Sequence, residues 1–126
     1  MASVMIDSSA WIELFEGTET GKRVQKILNE STCLTPSIVV AEVCSRTRRK
    51  GGDVNVAYNE MCKADIIPLT GETGRIAGEF HATQRIKKPS FGIVDSVIIA
   101  TARASKAKLL TCDADFKTFP ETILLK

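Results

Sequence analysis

Apolar positions along the chain include short continuous runs, which are separated by longer stretches of mixed character. Short uninterrupted runs are typical of strands whose two faces are both covered, whereas a strand with one wet face alternates apolar and polar positions. The runs predict strands at 4–6, 32–35, 65–69, 108–111 and 123–125.

Between the runs, apolar residues recur at the three- and four-residue spacing of a helix that faces a core. Ser8 or Ser9 is expected to cap a first helix that Gly17 ends. Pro36 suits the first turn of a later helix, and Pro89 ends a long one. The pattern predicts further helices at 20–29, 37–50, 54–61, 70–88 and 93–105.

Short apolar strands alternating with amphipathic helices predict an α/β sandwich with a mostly parallel sheet. The length of 126 residues suits one domain, 1–126, with a core that needs no disulfides. A net charge of +2 is compatible with a nucleic-acid substrate but does not indicate one. In sheets of this kind, sites form beyond the carboxyl ends of the strands.

Cysteine and membrane signals exclude several classes of protein. The single histidine, His81, and the absence of a CxxC pair among Cys33, Cys44, Cys62 and Cys112 give little support to a zinc site. We expect buried thiols in a reducing compartment. With no signal-peptide pattern and no apolar stretch long enough to span a bilayer, we expect a cytoplasmic protein without a membrane partner.

Two acids fall on predicted helix faces that are otherwise apolar. Glu42 lies on or beside the apolar stripe of its helix, and Asp95 shares a face with Ile98 and Ile99. An unpaired buried carboxylate costs several kcal/mol, and a bound cation is one way to offset that cost. The simpler alternatives are a boundary position for Glu42 that reaches solvent and a first-turn acid that favours the helix dipole for Asp95.

Further acids follow two predicted strands. Asp7 comes directly after the run 4–6, and Asp113 follows the run 108–111, with Asp115 close behind. In a parallel sheet these strand ends lie at one edge, where the acids would converge with those on the helices. Each strand-end acid is also a good helix cap. Carboxylates without a histidine partner favour hard cations such as Mg²⁺ or Mn²⁺, which commonly serve phosphate chemistry.

Four motifs along the chain contain these acids. They are VMIDSSAW at 4–11, AEV at 41–43 with Arg46 one turn later, GIVDSVIIATA at 92–102 and LLTCDADF at 109–116. Each motif is weak alone, but their order and spacing are specific. By these motifs the chain resembles the PIN-domain nucleases, and especially the VapC-type toxins of prokaryotic toxin–antitoxin pairs. The likeness covers nearly all of the chain.

The resemblance implies a three-layer α/β/α PIN-like fold with a short, mostly parallel central sheet. It implies a ribonuclease with one or two Mg²⁺ or Mn²⁺ ions, a homodimer, and a VapB-type antitoxin that blocks the site. Asp7 and Asp95 are then the main metal ligands, completed by Glu42 and by Asp113, for whose place Asp115 competes. The resemblance adds supporting hydroxyls from Ser8 or Ser9 and from Thr111.

Basic residues cluster near two of the acids and could contact RNA phosphates without reading sequence. A solvated helix end, where cations also suit the dipole, explains them equally well. Arg46 is the better candidate because it lies one turn from Glu42; it could instead pair with an acid or meet the antitoxin. The remaining candidates are Arg48, Arg49, Lys50, Arg85, Lys87 and Lys88.

Other functions stay open at the level of sequence. A PIN-type ribonuclease could act in RNA maturation, and the fold could also be a non-catalytic binding module. Phosphoryl transfer through an aspartyl-phosphate on Asp7 is a third alternative, although Ser9 stands where a second acid would be expected. Trp11 and Phe15 are expected to pack in the core or a dimer interface rather than to stack on bases.

Overall fold

The computed structural model describes residues 3–126, and the strands of that range form one sheet. The strands are β1 (Ser3–Ile6), β2 (Thr32–Pro36), β3 (Asp65–Ile67), β4 (Ala107–Thr111) and β5 (Thr122–Leu124). The helices are α1 (Ser8–Glu16), α2 (Glu19–Glu30), α3 (Ser37–Arg49), α4 (Val54–Met61), α5 (Gly71–Lys87) and α6 (Ile93–Ala104), and a 3-10 turn covers Ala114–Phe116.

The sheet has the order β3-β2-β1-β4-β5, and each pairing between these strands is parallel. Parallel neighbours require crossover connections, which the helices supply, and the result is a three-layer α/β/α fold. The predicted fold class is therefore confirmed, with a sheet that is parallel throughout residues 3–126 rather than mostly so. Ile6 lies opposite Leu110, so β1 and β4 end side by side.

The core explains the continuous apolar runs. Ile6 and Leu109 are fully buried because helices cover both faces of the sheet. Trp11 is also fully buried, and its Nε1 donates a hydrogen bond to Oγ1 of buried Thr35 at 3.1 Å. Phe15 stacks on Trp11 with ring centroids 5.8 Å apart, but it lies at the edge of the core and is 36% exposed. The expectation of a core position is confirmed for Trp11.

The predicted element ends agree with the structure to within two residues. Pro36 is an exception in its role, because it ends β2 and caps α3 instead of lying in the first turn. Its ψ of 141° is extended, so the helix begins after it. The expectation of buried thiols holds for Cys33, whereas Cys44 and Cys112 are only partly buried. It is wrong for Cys62, which is exposed just past the end of α4.

Candidate active site

Asp7 follows β1 directly and is nearly buried, with 3% of the residue exposed. Its Oδ1 accepts the backbone N–H of Ser8 at 2.7 Å, which makes Asp7 the cap of α1, and its Oδ2 accepts the hydroxyl of Thr111 at 2.7 Å. Burial raises the pKa of Asp7, while hydrogen bonds from Thr111, Ser8 and Ser9 lower it. The carboxylate is therefore held in one position by its donors.

Two hydroxyls connect the end of β1 to the end of β4. The Oγ of Ser9 donates to Oδ2 of Asp7 at 3.1 Å and accepts the N–H of Cys112 at 2.9 Å. The Oγ1 of Thr111, which donates to Asp7, accepts the N–H of Asp113 at 3.0 Å. Asp113 is thereby fixed beside Asp7, and its charge raises the pKa of Asp7 further.

Glu42 is partly buried on α3. Its Oε1 is the one buried side-chain polar atom in residues 3–126 without a hydrogen-bond partner. Burial, together with the charges of Asp7 and Asp95, raises the pKa of Glu42 to about 7, against a hydrogen bond from Ser8 that lowers it. A buried acceptor left without a donor costs about 1–3 kcal/mol. A ligand that binds this oxygen would remove that cost.

Asp95 lies in the first turn of α6, where its Oδ2 accepts the N–H of Gly92 at a long 3.4 Å. The capping role considered from the sequence is therefore present. Burial is the main cause that raises the pKa of Asp95, and the charges of Asp113, Asp7 and Asp115 raise it as well. Asp95 thus combines a cap with a position beside the other acids.

We call Asp7, Glu42, Asp95 and Asp113 the carboxylate cluster. Their charges act on one another, so the structure brings the four predicted acids to one region at the carboxyl ends of β1 and β4. As they stand, no three Asp, Glu, His or Cys side chains of residues 3–126 are grouped closely enough to hold a metal ion. The donor set nevertheless fits Mg²⁺ or Mn²⁺, because all donors are oxygens and one of them is unpartnered.

Asp113 and Asp115 stand in different surroundings. The Oδ1 of Asp113 accepts the backbone N–H of Asp115 at 2.9 Å and caps the 3-10 turn. The Oδ1 of Asp115 accepts a hydrogen bond from Nζ of Lys88 at 2.5 Å. This pair was not predicted, because two charged residues far apart in the chain leave no periodic signal. It engages Asp115 with a cation and leaves Asp113 facing the cluster.

Of the predicted RNA-contacting residues, Arg46 and Lys88 are partly buried. Arg46 pairs with Glu16 of α1 at 3.4 Å, so the pairing with an acid that the sequence left open involves Glu16. Arg46 and Glu42 line a hollow of about 450 Å³ between α1 and α3. The exposed members of the predicted set are Arg48, Arg49, Lys50, Arg85 and Lys87.

Comparison with known proteins identifies the family of the chain. The model of the PIN domain family matches residues 4–121. The chain belongs to the PIN domain family. No curated protein sequence shows significant similarity to this PIN domain. The match to the PIN domain model confirms the resemblance drawn from the four motifs.

Solved structures similar to this PIN domain come from toxin–antitoxin systems. The DNA-bound VapBC of Salmonella typhimurium matches with a TM-score of 0.79 at 16% identity, over 100% of both chains. VapC20 of Mycobacterium tuberculosis, a toxin that cleaves the sarcin-ricin loop, has a TM-score of 0.75 at 16% identity, over 93% of this chain and 95% of that one. A toxin–antitoxin complex of Klebsiella pneumoniae gives 0.75 at 18% identity, over 98% of each chain. At these identities the likeness shows the fold.

No helix in the described part of this PIN domain is long and apolar enough to cross a membrane.

Proposed function

We propose that this PIN domain is a metal-dependent endoribonuclease and the toxin of a VapBC-type toxin–antitoxin pair, acting on RNA phosphodiester bonds in the cytoplasm. The observation that carries the proposal is the buried, unpartnered Oε1 of Glu42 among three further carboxylates. A hard divalent cation would give this oxygen a partner and neutralise the cluster. Membership of the PIN domain family supports the proposal.

Asp7 and Asp95 would hold Mg²⁺ or Mn²⁺, with Glu42 and Asp113 completing the site directly or through water. Such an ion supplies a water of lowered pKa and neutralises phosphate charge. The chain's own contribution begins with position, because the hydroxyl of Thr111 fixes one oxygen of Asp7 and the backbone N–H of Ser8 fixes the other. Residues that orient a ligand in this way raise metal affinity and activity.

Glu42 is assigned the proton-transfer role. In the metal-free protein, burial and the charges of Asp7 and Asp95 raise its pKa to about 7, close to the pH at which a general base works best. With Oε1 bound to the ion, the other carboxylate oxygen of Glu42 would take the proton from the attacking water. The neighbouring hydroxyl of Ser8 hydrogen-bonds to Glu42 and favours the ionised form that accepts the proton.

The partner proteins are proposed from the family likeness and from two surfaces. The hollow beside Glu42 continues past Ile12 and Arg46 to a second one of about 420 Å³ that Phe15 lines, so a peptide of the antitoxin could lie along α1 and α3 and cover the acids. The similar solved structure from Klebsiella pneumoniae is a toxin–antitoxin complex, which supports an antitoxin as the partner. Ile86 of α5 is 81% exposed, and a homodimer interface that includes this side chain would cover it.

The first experiment compares RNA cleavage by the wild type and Asp95→Asn in Mg²⁺ or Mn²⁺. We expect cleavage by the wild type and its loss in the variant. Asp65→Asn, an exposed carboxylate of β3, is the matched control and should cleave normally. Equal cleavage by all three proteins would show that the activity does not come from this site.

The second experiment separates the enzyme from a binding module. Calorimetric titration with Mn²⁺ should show binding to the wild type and weaker binding to Asp95→Asn. The absence of any binding at millimolar Mn²⁺ or Mg²⁺ would favour a non-catalytic role. An upstream reading frame for a small DNA-binding protein next to this gene would support the toxin assignment over a role in RNA maturation.

A further inference from the structure

One ion pair lies at the rim of the carboxylate cluster. Lys88 follows the last residue of α5, and its Nζ donates to Oδ1 of Asp115 at 2.5 Å. Asp115 in turn donates its backbone N–H to Oδ1 of Asp113. The charge of Asp115 also acts on Asp95. Asp115 therefore connects the ammonium of Lys88 to two members of the cluster, Asp113 and Asp95.

Both partners of this pair are anchored in the core. Phe91, three residues after Lys88, is buried and donates its backbone N–H to the carbonyl oxygen of Lys88 at 3.0 Å. Phe116, directly after Asp115, is fully buried as well. The two rings meet edge to face with centroids 5.9 Å apart. The aromatic contact therefore holds the two backbone segments at a fixed separation, which places the ammonium beside the cluster.

Other basic residues lack this combination of anchoring and position. Arg85 and Lys87 are exposed near the end of α5, and Arg46 is directed to Glu16 on α1. The side chain of Lys88 is 43% exposed, so one side of the ammonium faces Asp115 while another can reach a ligand in solution.

We infer that Lys88 binds a phosphate of the RNA substrate next to the carboxylate cluster, and that Asp115 is the counterion that positions Lys88 and not a metal ligand. The inference rests on the proposed nuclease function and makes it more specific. A cluster of carboxylates repels a polyanion, so a fixed cation at its rim favours the approach of a phosphate. An ammonium has three donors, and the hydrogen bond to Asp115 uses one of them.

The same geometry distinguishes the two acids that compete for the fourth place. Asp115 is already neutralised by a cation, and coordination of a metal would require that pair to break. Asp113 accepts a backbone N–H and keeps its other oxygen available beside Asp7. Asp113 is therefore the fourth acid of the cluster.

The test measures RNA cleavage by Lys88→Met, which keeps the apolar stem and removes the charge. We expect KM to rise about tenfold, as for the loss of one charge-assisted hydrogen bond, with kcat little changed. The slope of log KM against log salt should fall by about 0.7, as for one lost phosphate contact on a single strand. Lys88→Arg should keep most of the affinity. Lys22→Met, which removes a lysine from the exposed pair with Glu19, is the control.

A merely structural ion pair would give a different result. In that case Lys88→Met and Asp115→Asn would lower the thermal midpoint equally and leave KM and the salt slope at wild-type values, which would overturn the inference. Mn²⁺ titration tests separately whether Asp115 is a metal ligand. Asp115→Asn should bind Mn²⁺ as the wild type does, whereas Asp113→Asn should bind it more weakly. Loss of Mn²⁺ binding in Asp115→Asn would also overturn the inference.

Failure of the proposed nuclease function is distinguishable from failure of this inference. If the wild type cleaves no RNA, metal-free binding of a fluorescent single-stranded RNA still measures the contribution of Lys88. A roughly tenfold weaker Kd for Lys88→Met would support the phosphate contact even then. An unchanged Kd, in a variant whose melting curve shows a folded protein, would exclude it.

Discussion

The carboxylate cluster has two halves that differ in how fully their oxygens are bonded. On the strand half, Asp7 accepts hydrogen bonds on both oxygens, and Asp113 accepts the N–H that begins the 3-10 turn. On the helix half, Oε1 of Glu42 has no partner, and Asp95 accepts the N–H of Gly92 at 3.4 Å. All four acids lie in one region, yet the backbone and hydroxyl donors serve mainly one half.

This difference in hydrogen bonding shows how a site with several negative charges can fold without a bound cation. The strand half is preorganised, because its donors fix the acids in place and offset part of the burial that raises the pKa of Asp7. The helix half keeps the cost of burial that a cation would offset. We therefore expect substitutions on the strand half to damage both fold and activity. Substitutions that remove a charge on the helix half should raise the stability of the metal-free protein and reduce the stabilisation that metal binding adds.

The largest effect is expected for Asp7→Asn. The amide removes the charge of a proposed metal ligand, and its N–H₂ group meets the donating hydroxyls of Ser9 and Thr111. We expect kcat/KM for RNA to fall on the order of 10³-fold, which corresponds to the several kcal/mol that a bound metal contributes to catalysis. Asp53→Asn is the control, because Asp53 also caps a helix but lies outside the cluster. A variant of Asp7 that retains a tenth of the activity would break the comparison.

A smaller loss is expected for Thr111→Val. The change removes the hydrogen bond to Asp7 and leaves the N–H of Asp113 without its acceptor. We expect a 10- to 100-fold loss in metal affinity or activity, about that for a residue that orients a ligand, and about 1–3 kcal/mol less stability. Thr101→Val tests buried threonine in general, because its hydroxyl bonds to the carbonyl oxygen of Val97 within α6. Equal activity losses in the two variants would mean that Thr111 has no special role in orienting Asp7.

Sequence reasoning works well for the strand half because its signals are local. The apolar run 4–6 predicts β1, and the position of Asp7 right after it places that acid at the sheet edge. The run 108–111 does the same for β4 and Asp113. Parallel pairing then brings both strand ends together. The hydroxyls of Ser9 and Thr111 were candidates from the family resemblance, and the structure supplies their bonds.

The helix half and the rim depend on tertiary contacts that no local pattern contains. Helical spacing places Glu42 near the buried face, but it cannot tell that one oxygen lacks a donor, since that depends on every surrounding element. The pair between Lys88 and Asp115 joins residues 27 apart in the chain, and neither carries a periodic signal. The assignment of the site residues to metal and RNA stays a prediction until the experiments are done.

The third effect concerns stability and pH. The pKa of Glu42 is raised from 4.5 to about 7, so between these values the folded protein binds a proton that the unfolded chain has released. The stabilisation is complete below pH 4.5 and is lost as the pH rises towards and through about 7. Because Glu42 is partly exposed, water screens the penalty, and we expect a loss on the order of 1 kcal/mol. Urea unfolding of the metal-free protein at pH 5 and pH 8 measures it.

Glu42→Gln should remove the share of this pH-dependent loss that Glu42 contributes, beside the shares of Asp7 and Asp95, whose pKa values are also raised. Glu30→Gln, at an exposed position on α2, should leave the loss unchanged. Added Mg²⁺ should raise the stability of the wild type at pH 8 more than that of Glu42→Gln, because the ion binds the ionised form. Identical pH profiles for the wild type and Glu42→Gln would mean that Glu42 is not the unsatisfied member of the cluster.

The smallest effect is expected at the residue that connects the two halves. The hydroxyl of Ser8 lies 3.4 Å from Oδ1 of Asp7, and its one proton can instead serve Glu42, whose pKa it lowers. Ser8→Ala should therefore raise the pKa of Glu42 further and move the pH-dependent loss of stability to higher pH, at a cost within about 1 kcal/mol. Ser9→Ala removes a bond to Asp7 instead and should leave the titration of Glu42 in place. Carbon-detected NMR of the side-chain carboxyls in metal-free protein measures the pKa of Glu42 in both variants. A pKa of Glu42 that changes in Ser9→Ala but not in Ser8→Ala would mean that Ser9, and not Ser8, controls its titration. In that case the hydroxyl network, and not the strand-to-helix contrast, would control how the cluster titrates.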